Sequence, residues 1–233
     1  SPNRPEPART AGTGAASATV VVGYRYSDNF NRADNASLGG DWRVDRNGSP
    51  RISTNRAQMK TMSSGGRQGC WASWQSGTFA TDNYSVEVQC IAPIGNLASD
   101  NMTGVILAVA DTFGAGVMCY FVATTANGCA IYTQSGLPPT TGISTGQTGQ
   151  TQRAVTATNA AVTDLFRFQR VGNVFTLYRN GSSFLTWTDA SNVVSSGATN
   201  RRWGMFFEGN TVVFPAADYR SPAIDAIIEA RDL

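Results

Sequence analysis

The amino-acid sequence predicts an all-β fold of antiparallel strands, arranged as a sandwich or a barrel. Apolar residues alternate with polar ones at a period of two, and short apolar runs are separated by turns rich in glycine and asparagine. No segment sustains the spacing of an amphipathic helix. The 233 residues, of which 24 are glycine and 15% are charged, are enough for one large β domain with its own core.

The N-terminal segment differs in composition from the rest of the chain. Residues 1–18 are rich in proline, alanine, glycine and threonine and contain no aromatic side chain. Such a segment cannot bury enough apolar surface to offset the entropy of ordering it. We therefore divide the chain into an N-terminal arm over residues 1–18 and a single β domain over residues 19–233. The arm is either flexible or docked on another protein chain, and in the docked case Arg4 and Arg9 supply its ion pairs.

Strands can be placed along the domain in order. Residues 84–90 alternate strictly between apolar and polar, and residues 116–124 predict a strand buried on both faces. An Asn-Gly pair at 127–128 indicates a hairpin turn. Residues 164–189 form a three-stranded meander, and residues 224–230 suit a closing strand. The meander residues that we expect to be buried are Phe166, Phe168, Leu177 and Trp187.

Composition excludes several classes of function. The chain contains no histidine, which excludes Ser-His-Asp and Cys-His catalysis and zinc sites built on imidazole. Basic residues form no stripe, so we expect no nucleic-acid partner. The longest apolar run, residues 105–110, is far too short for a transmembrane helix, so we expect no membrane insertion. The four cysteines form no Cys-x-x-Cys pair and are either buried thiols or disulfide-bonded.

Two parts of the domain resemble a known family. Residues 28–34 and 38–42 read Asp-Asn-Phe-Asn-Arg-Ala-Asp and Leu-Gly-Gly-Asp-Trp, and residues 178–189 and 202–207 carry a Tyr-Arg-Asn-Gly turn, a Trp-Thr-Asp run and Arg-Trp-Gly. This is similar to the concanavalin-A-like (lectin/glucanase) jelly rolls of minor tail and other virion proteins of tailed actinobacterial phages, although Asn35 replaces the usual glycine. The resemblance implies an antiparallel two-sheet jelly-roll sandwich, of the concanavalin A and laminin-G type, with an extended N-terminal arm.

The same resemblance implies a non-enzymatic virion protein on the tail or capsid surface. In its simplest form this is a minor tail protein that displays a lectin-like domain for contact with host-surface glycans. Its partners would be other virion proteins, reached through the arm, further copies of the chain, and a host cell-envelope polysaccharide. Two alternatives stay open: a capsid decoration or assembly protein without a ligand, and a glycan-degrading enzyme. Jelly-roll glucanases carry their paired carboxylates as Glu-x-Asp-x-Glu on one strand, and because this chain has no such run we expect no enzymatic activity.

Three aromatic residues are the candidate ligand-binding residues. Trp71 and Trp74 are three positions apart, so on a strand they point to opposite faces, and we expect one of them to be exposed. Sugar rings stack on exposed aromatic faces, and Tyr132 is the third candidate. The alternative for each tryptophan is a place in the core. No residue is assigned a catalytic role.

The stretch 28–34 also yields structural expectations. We place Phe30 and Trp42 in the core. Arg32 would pair with one of three nearby acids, Asp28, Asp34 and Asp41. No cofactor is expected, and Asp28 and Asp225 are the only candidates for a structural calcium ion, because first and last strands meet in such sandwiches.

Overall fold

The structure is a computed structural model of the chain. The residues that it describes are 23–62, 66–141, 147–213 and 216–233. The predicted arm over residues 1–18, with Arg4 and Arg9, lies outside the described residues, so its docking stays a prediction.

The described residues form 17 β-strands and one 3₁₀ turn. The strands are β1 (Arg25–Asp28), β2 (Trp42–Arg46), β3 (Arg51–Ile52), β4 (Ala57–Gln58), β5 (Gly66–Trp74), β6 (Tyr84–Ile91), β7 (Asn96–Leu97), β8 (Thr103–Val109), β9 (Val117–Ala123), β10 (Cys129–Ser135), β11 (Gln150–Thr156), β12 (Leu165–Val171), β13 (Val174–Arg179), β14 (Ser182–Thr188), β15 (Arg202–Val213), β16 (Ala216–Arg220) and β17 (Ala223–Asp232). The 3₁₀ turn, Ala198–Asn200, is the one helical segment among these residues, and its three residues are far too few to cross a bilayer.

The strands pair into two sheets. The first has eight strands in the order β14-β13-β12-β6-β17-β4-β3, with β1 added against β17. The second has nine strands in the order β11-β10-β9-β8-β15-β16-β7, with β5 paired to β15 and β2 paired to β5. Among the described strands, only β16 and β7 pair in parallel. The predicted antiparallel two-sheet jelly-roll sandwich is therefore confirmed.

The core lies between the two sheets. Phe166 and Phe168 of β12 and Leu177 of β13 are fully buried, as the meander pattern predicts. Phe121 of β9 faces them from the other sheet, with ring centroids 5.4 Å from Phe166 and 5.5 Å from Phe168. Trp187 is only partly buried, because it lies on β14, the edge strand of its sheet. The predicted closing strand is β17, which pairs with β6 on one side and with β1 and β4 on the other.

Three tryptophans meet on the inner side of the nine-stranded sheet. Trp42 of β2, Trp74 of β5 and Trp203 of β15 have ring centroids 5.3 to 5.5 Å apart. Trp42 and Trp203 are buried, as the sequence predicts for Trp42. We call these three residues the indole cluster.

The four cysteines are unpaired thiols, which decides between the two alternatives of the sequence analysis. All four are buried, and the structure places them in the core as Cys70, Cys90, Cys119 and Cys129. Free cysteine here behaves as a small apolar side chain.

The nine-stranded sheet is also buried over part of its outer face. A second apolar cluster there includes Trp71, Tyr120 and Phe206, all fully buried. Trp71 stacks on Phe206 at 4.8 Å and meets Tyr120 edge-on at 5.6 Å. A groove opens on this same face of the sheet.

Candidate functional site

A groove of about 290 Å³ lies on the outer face of the nine-stranded sheet, across β9, β10 and β11. Both apolar and polar side chains line it. Its lining residues are Arg67, Asp100, Met102, Val122, Thr124, Asn127, Gly128, Cys129, Ala130, Tyr132, Gln152 and Val155. We call it the outer groove.

Tyr132 connects the floor of the outer groove to its rim. Its ring stacks on Tyr120 at 5.7 Å, directly across the β9–β10 pair. Its hydroxyl donates a hydrogen bond of 2.9 Å to Oε1 of Gln152 on β11. Burial and the nearby carboxylate of Glu208 raise the pKa of Tyr132, so its hydroxyl is neutral at physiological pH. The groove thus offers a fixed ring edge and an amide that still has its NH₂ donors.

One guanidinium joins two carboxylates at the end of the outer groove. Arg67 of β5 forms ion pairs with Asp100 and, at 3.5 Å, with Oε2 of Glu208 on β15. The backbone amide of Met102 donates a hydrogen bond of 2.9 Å to the same Oε2. A buried carboxylate requires such donors, and this amide is one of them. Asp100 is half-exposed, whereas the side chain of Glu208 is fully buried.

This shared partner brings the two acids close. Because both contact nitrogens of one planar guanidinium, their carboxylates lie within roughly 8 Å of each other, a span that overlaps that of paired carboxylates in glycoside hydrolases. The two residues are 108 positions apart in sequence, so no local motif could indicate the pair. The available signal was Glu208 itself, an acid directly after Phe206 and Phe207 in an apolar strand, since a charge in a buried strand requires a partner.

The two predicted tryptophans differ from expectation in exposure. Trp71 and Trp74 do point to opposite faces of β5, Trp71 to the outer cluster and Trp74 to the inner indole cluster. The expectation that one of them is exposed is wrong: Trp71 is 0% and Trp74 is 7% exposed. The outer face of this sheet is itself covered, so alternation does not separate buried from exposed positions. Of the three predicted aromatic residues, only Tyr132 lines the outer groove.

The calcium candidates are not brought together as a site. Asp28 pairs with Arg32 through both oxygens, at 2.7 and 2.9 Å, and also accepts from the amide of Phe30 and the indole of Trp42. Its lone pairs are therefore committed to protein donors. Among the described residues there is no group of three or more acids or cysteines that could hold a metal ion. Asp225 is therefore not part of such a group either.

Comparison with known proteins defines the class of fold. No protein-family model matches the chain, and no curated protein matches it. Among solved structures, a Bacillus subtilis protein with a galectin-like fold is 10% identical, with a TM-score of 0.53 over 88% of this chain and 95% of that one. An endo-acting O-glycanase of the human gut microbiota, described as initiating mucin breakdown, is 9% identical, with a TM-score of 0.56 over 89% and 98%. A glycoside hydrolase family 16 endo-glucanase from Bacteroides ovatus is 10% identical, with a TM-score of 0.52 over 88% and 99%.

The chain is thus a galectin-like, concanavalin-like jelly-roll sandwich, a fold that it shares with endo-acting glycanases and glucanases. The resemblance seen in the sequence is confirmed for the fold. The expectation of a non-enzymatic protein needs correction, because endo-glucanases share this sandwich over nearly their whole length. The absence of a Glu-x-Asp-x-Glu strand does not exclude paired carboxylates, since Asp100 and Glu208 come from separate parts of the chain and both contact Arg67.

Proposed function

We propose that this domain recognises a glycan and that the outer groove is the surface that holds it. The observation that carries the proposal is the Tyr132–Gln152 hydrogen bond beside an apolar floor, in a fold shared with endo-acting glycanases and glucanases. A sugar presents an apolar C–H face and a rim of hydroxyls. The apolar side chains of Met102 and Val122 can contact the C–H face, and the amide of Gln152 can hydrogen-bond to the hydroxyls.

Binding is tested with the purified domain and a panel of glycans. Gluco-oligosaccharides are the first probes, because a neighbour of the same fold was solved with laminaritriose and laminaritetraose. We expect Gln152→Ala to weaken binding at least about tenfold, since a polar site that loses a hydrogen-bonding group discriminates strongly. Gln169→Ala is the matched control, because Gln169 lies on the other sheet, on β12, away from the groove. Equal loss in both variants, or no binding of any glycan by the wild type, would contradict the proposal.

A second candidate function is glycan hydrolysis at the same groove. The specific observation in its favour is that Arg67 contacts both Asp100, which lines the groove, and Glu208, which is buried beneath it. The two carboxylates therefore lie within roughly 8 Å of each other, an upper limit that overlaps the separations found in glycoside hydrolases. The test is release of reducing ends from the glycans that bind. We expect Asp100→Asn to abolish turnover while retaining binding. Glu208→Gln should also abolish turnover, and its thermal midpoint is measured to check that it folds. Turnover that survives Asp100→Asn would exclude this pair of acids as the catalytic groups.

The setting that we propose is the surface of a phage virion, on the tail or capsid, in several copies. The support is the sequence resemblance over residues 28–34 and 178–207 to virion proteins. Many weak glycan contacts on one particle reinforce each other, by up to about 10²–10⁴-fold.

Deleting residues 1–18 should leave the thermal midpoint of the domain nearly unchanged and abolish its incorporation into particles. A large fall in the midpoint would mean that the arm packs on its own sandwich.

A further inference from the structure

A second cleft lies at the β3–β4 end of the eight-stranded sheet. It has a volume of about 420 Å³, larger than the outer groove, and it shares no lining residue with that groove. The residues after β1, the turn between β2 and β3, and the residues after β4 form its walls. Its lining residues are Asp34, Asn35, Ala36, Gly48, Ser49, Arg51, Lys60 and Thr61. We call it the basic cleft.

Two cations line the basic cleft without an acidic partner. Lys60, the single lysine of the chain, donates from Nζ to the backbone oxygen of Asn47 and approaches its Oδ1 at 3.4 Å. Arg51 donates from Nη1 to Oγ1 of Thr61 at 2.6 Å, and its Nε is buried without a partner. Within the described part of the chain neither side chain forms an ion pair, whereas nine other arginines do.

A carboxylate lines the same cleft. Asp34 is exposed, and its Oδ1 accepts the amide hydrogen of Thr54 at 2.6 Å. It has no cation within ion-pair distance among the described residues, so it is not paired with Lys60 or Arg51. The cleft therefore carries two positive charges and one negative charge that face a common space, with a net excess of one positive charge.

This charge arrangement selects a class of ligand. A carboxylate or phosphate is the natural partner of an ammonium beside a guanidinium, which carries several donors in a planar fork. A bare anion would meet the opposing charge of Asp34, whereas a sugar ring brings hydroxyls that donate to that carboxylate. The same hydroxyls can accept from the side-chain NH₂ of Asn35, whose Oδ1 already accepts two hydrogen bonds from Ser37. The volume is that of a small-ligand pocket.

We propose that the basic cleft binds a saccharide carrying an anionic substituent, with the anionic group on Lys60 and Arg51 and the ring hydroxyls on Asp34 and Asn35. The site lies apart from the outer groove and goes beyond the function proposed for that groove. A carboxylate on a uronic acid and a phosphate on a sugar present the same charge to the two cations, so the experiment has an arm for each.

Calorimetric titration of the full chain tests the ligand class with four probes. Methyl glucuronide and glucose 6-phosphate are the two anionic saccharides, methyl glucoside is the neutral one, and inorganic phosphate is the bare anion. At least one anionic saccharide should bind at least about tenfold more tightly than both the glucoside and phosphate, and its affinity should fall with added salt. Phosphate binding as tightly as either sugar, or equal binding of the neutral glucoside, would overturn the proposal, as would no binding of either anionic sugar.

Substitutions then place the site. Lys60→Gln and Arg51→Gln should each weaken the binding of the anionic sugar at least about tenfold, because each removes a charge-assisted hydrogen bond. Arg56→Gln is the matched control: Arg56 lies at the same sheet edge, contacts only the backbone oxygens of Thr54 and Ala92, and does not line the cleft.

Two further variants separate this site from folding defects and from the outer groove. Lys60→Arg keeps the charge and should keep binding within a few-fold, which a folding defect at this position would not allow. Gln152→Ala alters only the outer groove and should leave the titration unchanged. Undiminished binding in both Lys60→Gln and Arg51→Gln would overturn the assignment of the cleft even if the outer groove binds glycans.

Discussion

The indole Nε1 of Trp42 donates a hydrogen bond of 2.9 Å to Oδ2 of Asp28, the last residue of β1. The same carboxylate holds Arg32 through two hydrogen bonds and accepts the amide of Phe30. One acid therefore ties the strand end, the following turn and the indole cluster together. The sequence allowed three acids as the ion-pair partner of Arg32, and in the structure that partner is Asp28.

Replacing that acid should destabilise the fold. Asp28→Asn keeps the shape of the side chain but removes the charge that holds Arg32 and leaves a poorer acceptor for Trp42. We expect a loss of about 1–3 kcal/mol in the free energy of unfolding, measured by urea denaturation. Asp225→Asn is the control and should change stability by less than about 0.5 kcal/mol. A comparable loss in both variants would show that Asp28 has no special structural role.

Stability should fall at acid pH in a defined direction. Burial alone would raise the pKa of Asp28, Asp82 and Asp164 above the usual 3.8, but hydrogen bonds from arginines and backbone amides outweigh it and lower the pKa of all three. A folded pKa below the unfolded one gives stability that is fully present above about pH 4 and is lost as the pH falls through the folded pKa. Unfolding free energies measured between pH 6 and pH 2 should decrease below about pH 4, and less steeply in Asp28→Asn. A flat profile would contradict these lowered pKa values.

The assignment of the inner face of β12 can be checked with adjacent residues. Phe168 is fully buried against Phe121, so Phe168→Ala should cost roughly 3–5 kcal/mol in unfolding free energy. Gln169, the next residue, points to the outer side of the same sheet, and Gln169→Ala should change stability by less than about 1 kcal/mol. Equal effects would mean that the strand register is inverted.

Gly104 tests the close approach of β8 and β9. A Cβ atom at this position would collide with the backbone oxygen of Phe121 and lie 2.5 Å from Cε1 of Phe206. Gly104→Ala should therefore lower the unfolding free energy by about 3 kcal/mol, through overpacking. Gly40→Ala introduces a Cβ with nothing within 4 Å and should be close to neutral. Thermal melting of the two variants distinguishes a steric cause from a general intolerance of alanine.

The thiols should be inert in the native protein. Burial raises the pKa of Cys70, Cys90 and Cys129 to about 12 and that of Cys119 well above its usual value. The thiolate is the reactive form, so a disulfide reagent at pH 8 should label none of the four before unfolding and all four in denaturant. Rapid labelling of the native domain would show that a strand carrying one of them opens readily.

The sequence predicts those features of the fold that depend on neighbouring residues. It predicts poorly those that depend on residues far apart in the chain. The meander of β12 to β14 and the hairpin of β9 and β10 follow from alternation and from Gly-Asn and Asn-Gly turns, which act over a few residues. Alternation assigns Trp71 to one face and Trp74 to the other, but it contains no information about what covers a face. The pairing of Asp100 with Glu208 through Arg67 depends on three distant segments, and only the folded sheet brings them together.

The indole cluster gives the domain an optical property of its own. Three of the five tryptophans lie within 5.3 to 5.5 Å of one another, close enough for their electronic transitions to couple. Near-ultraviolet circular dichroism of the native state should therefore show a signal from these fixed indoles that disappears when β2, β5 and β15 separate, while far-ultraviolet signal from residual strands persists. The chain thus contains an intrinsic reporter of packing in one sheet, readable without any attached label.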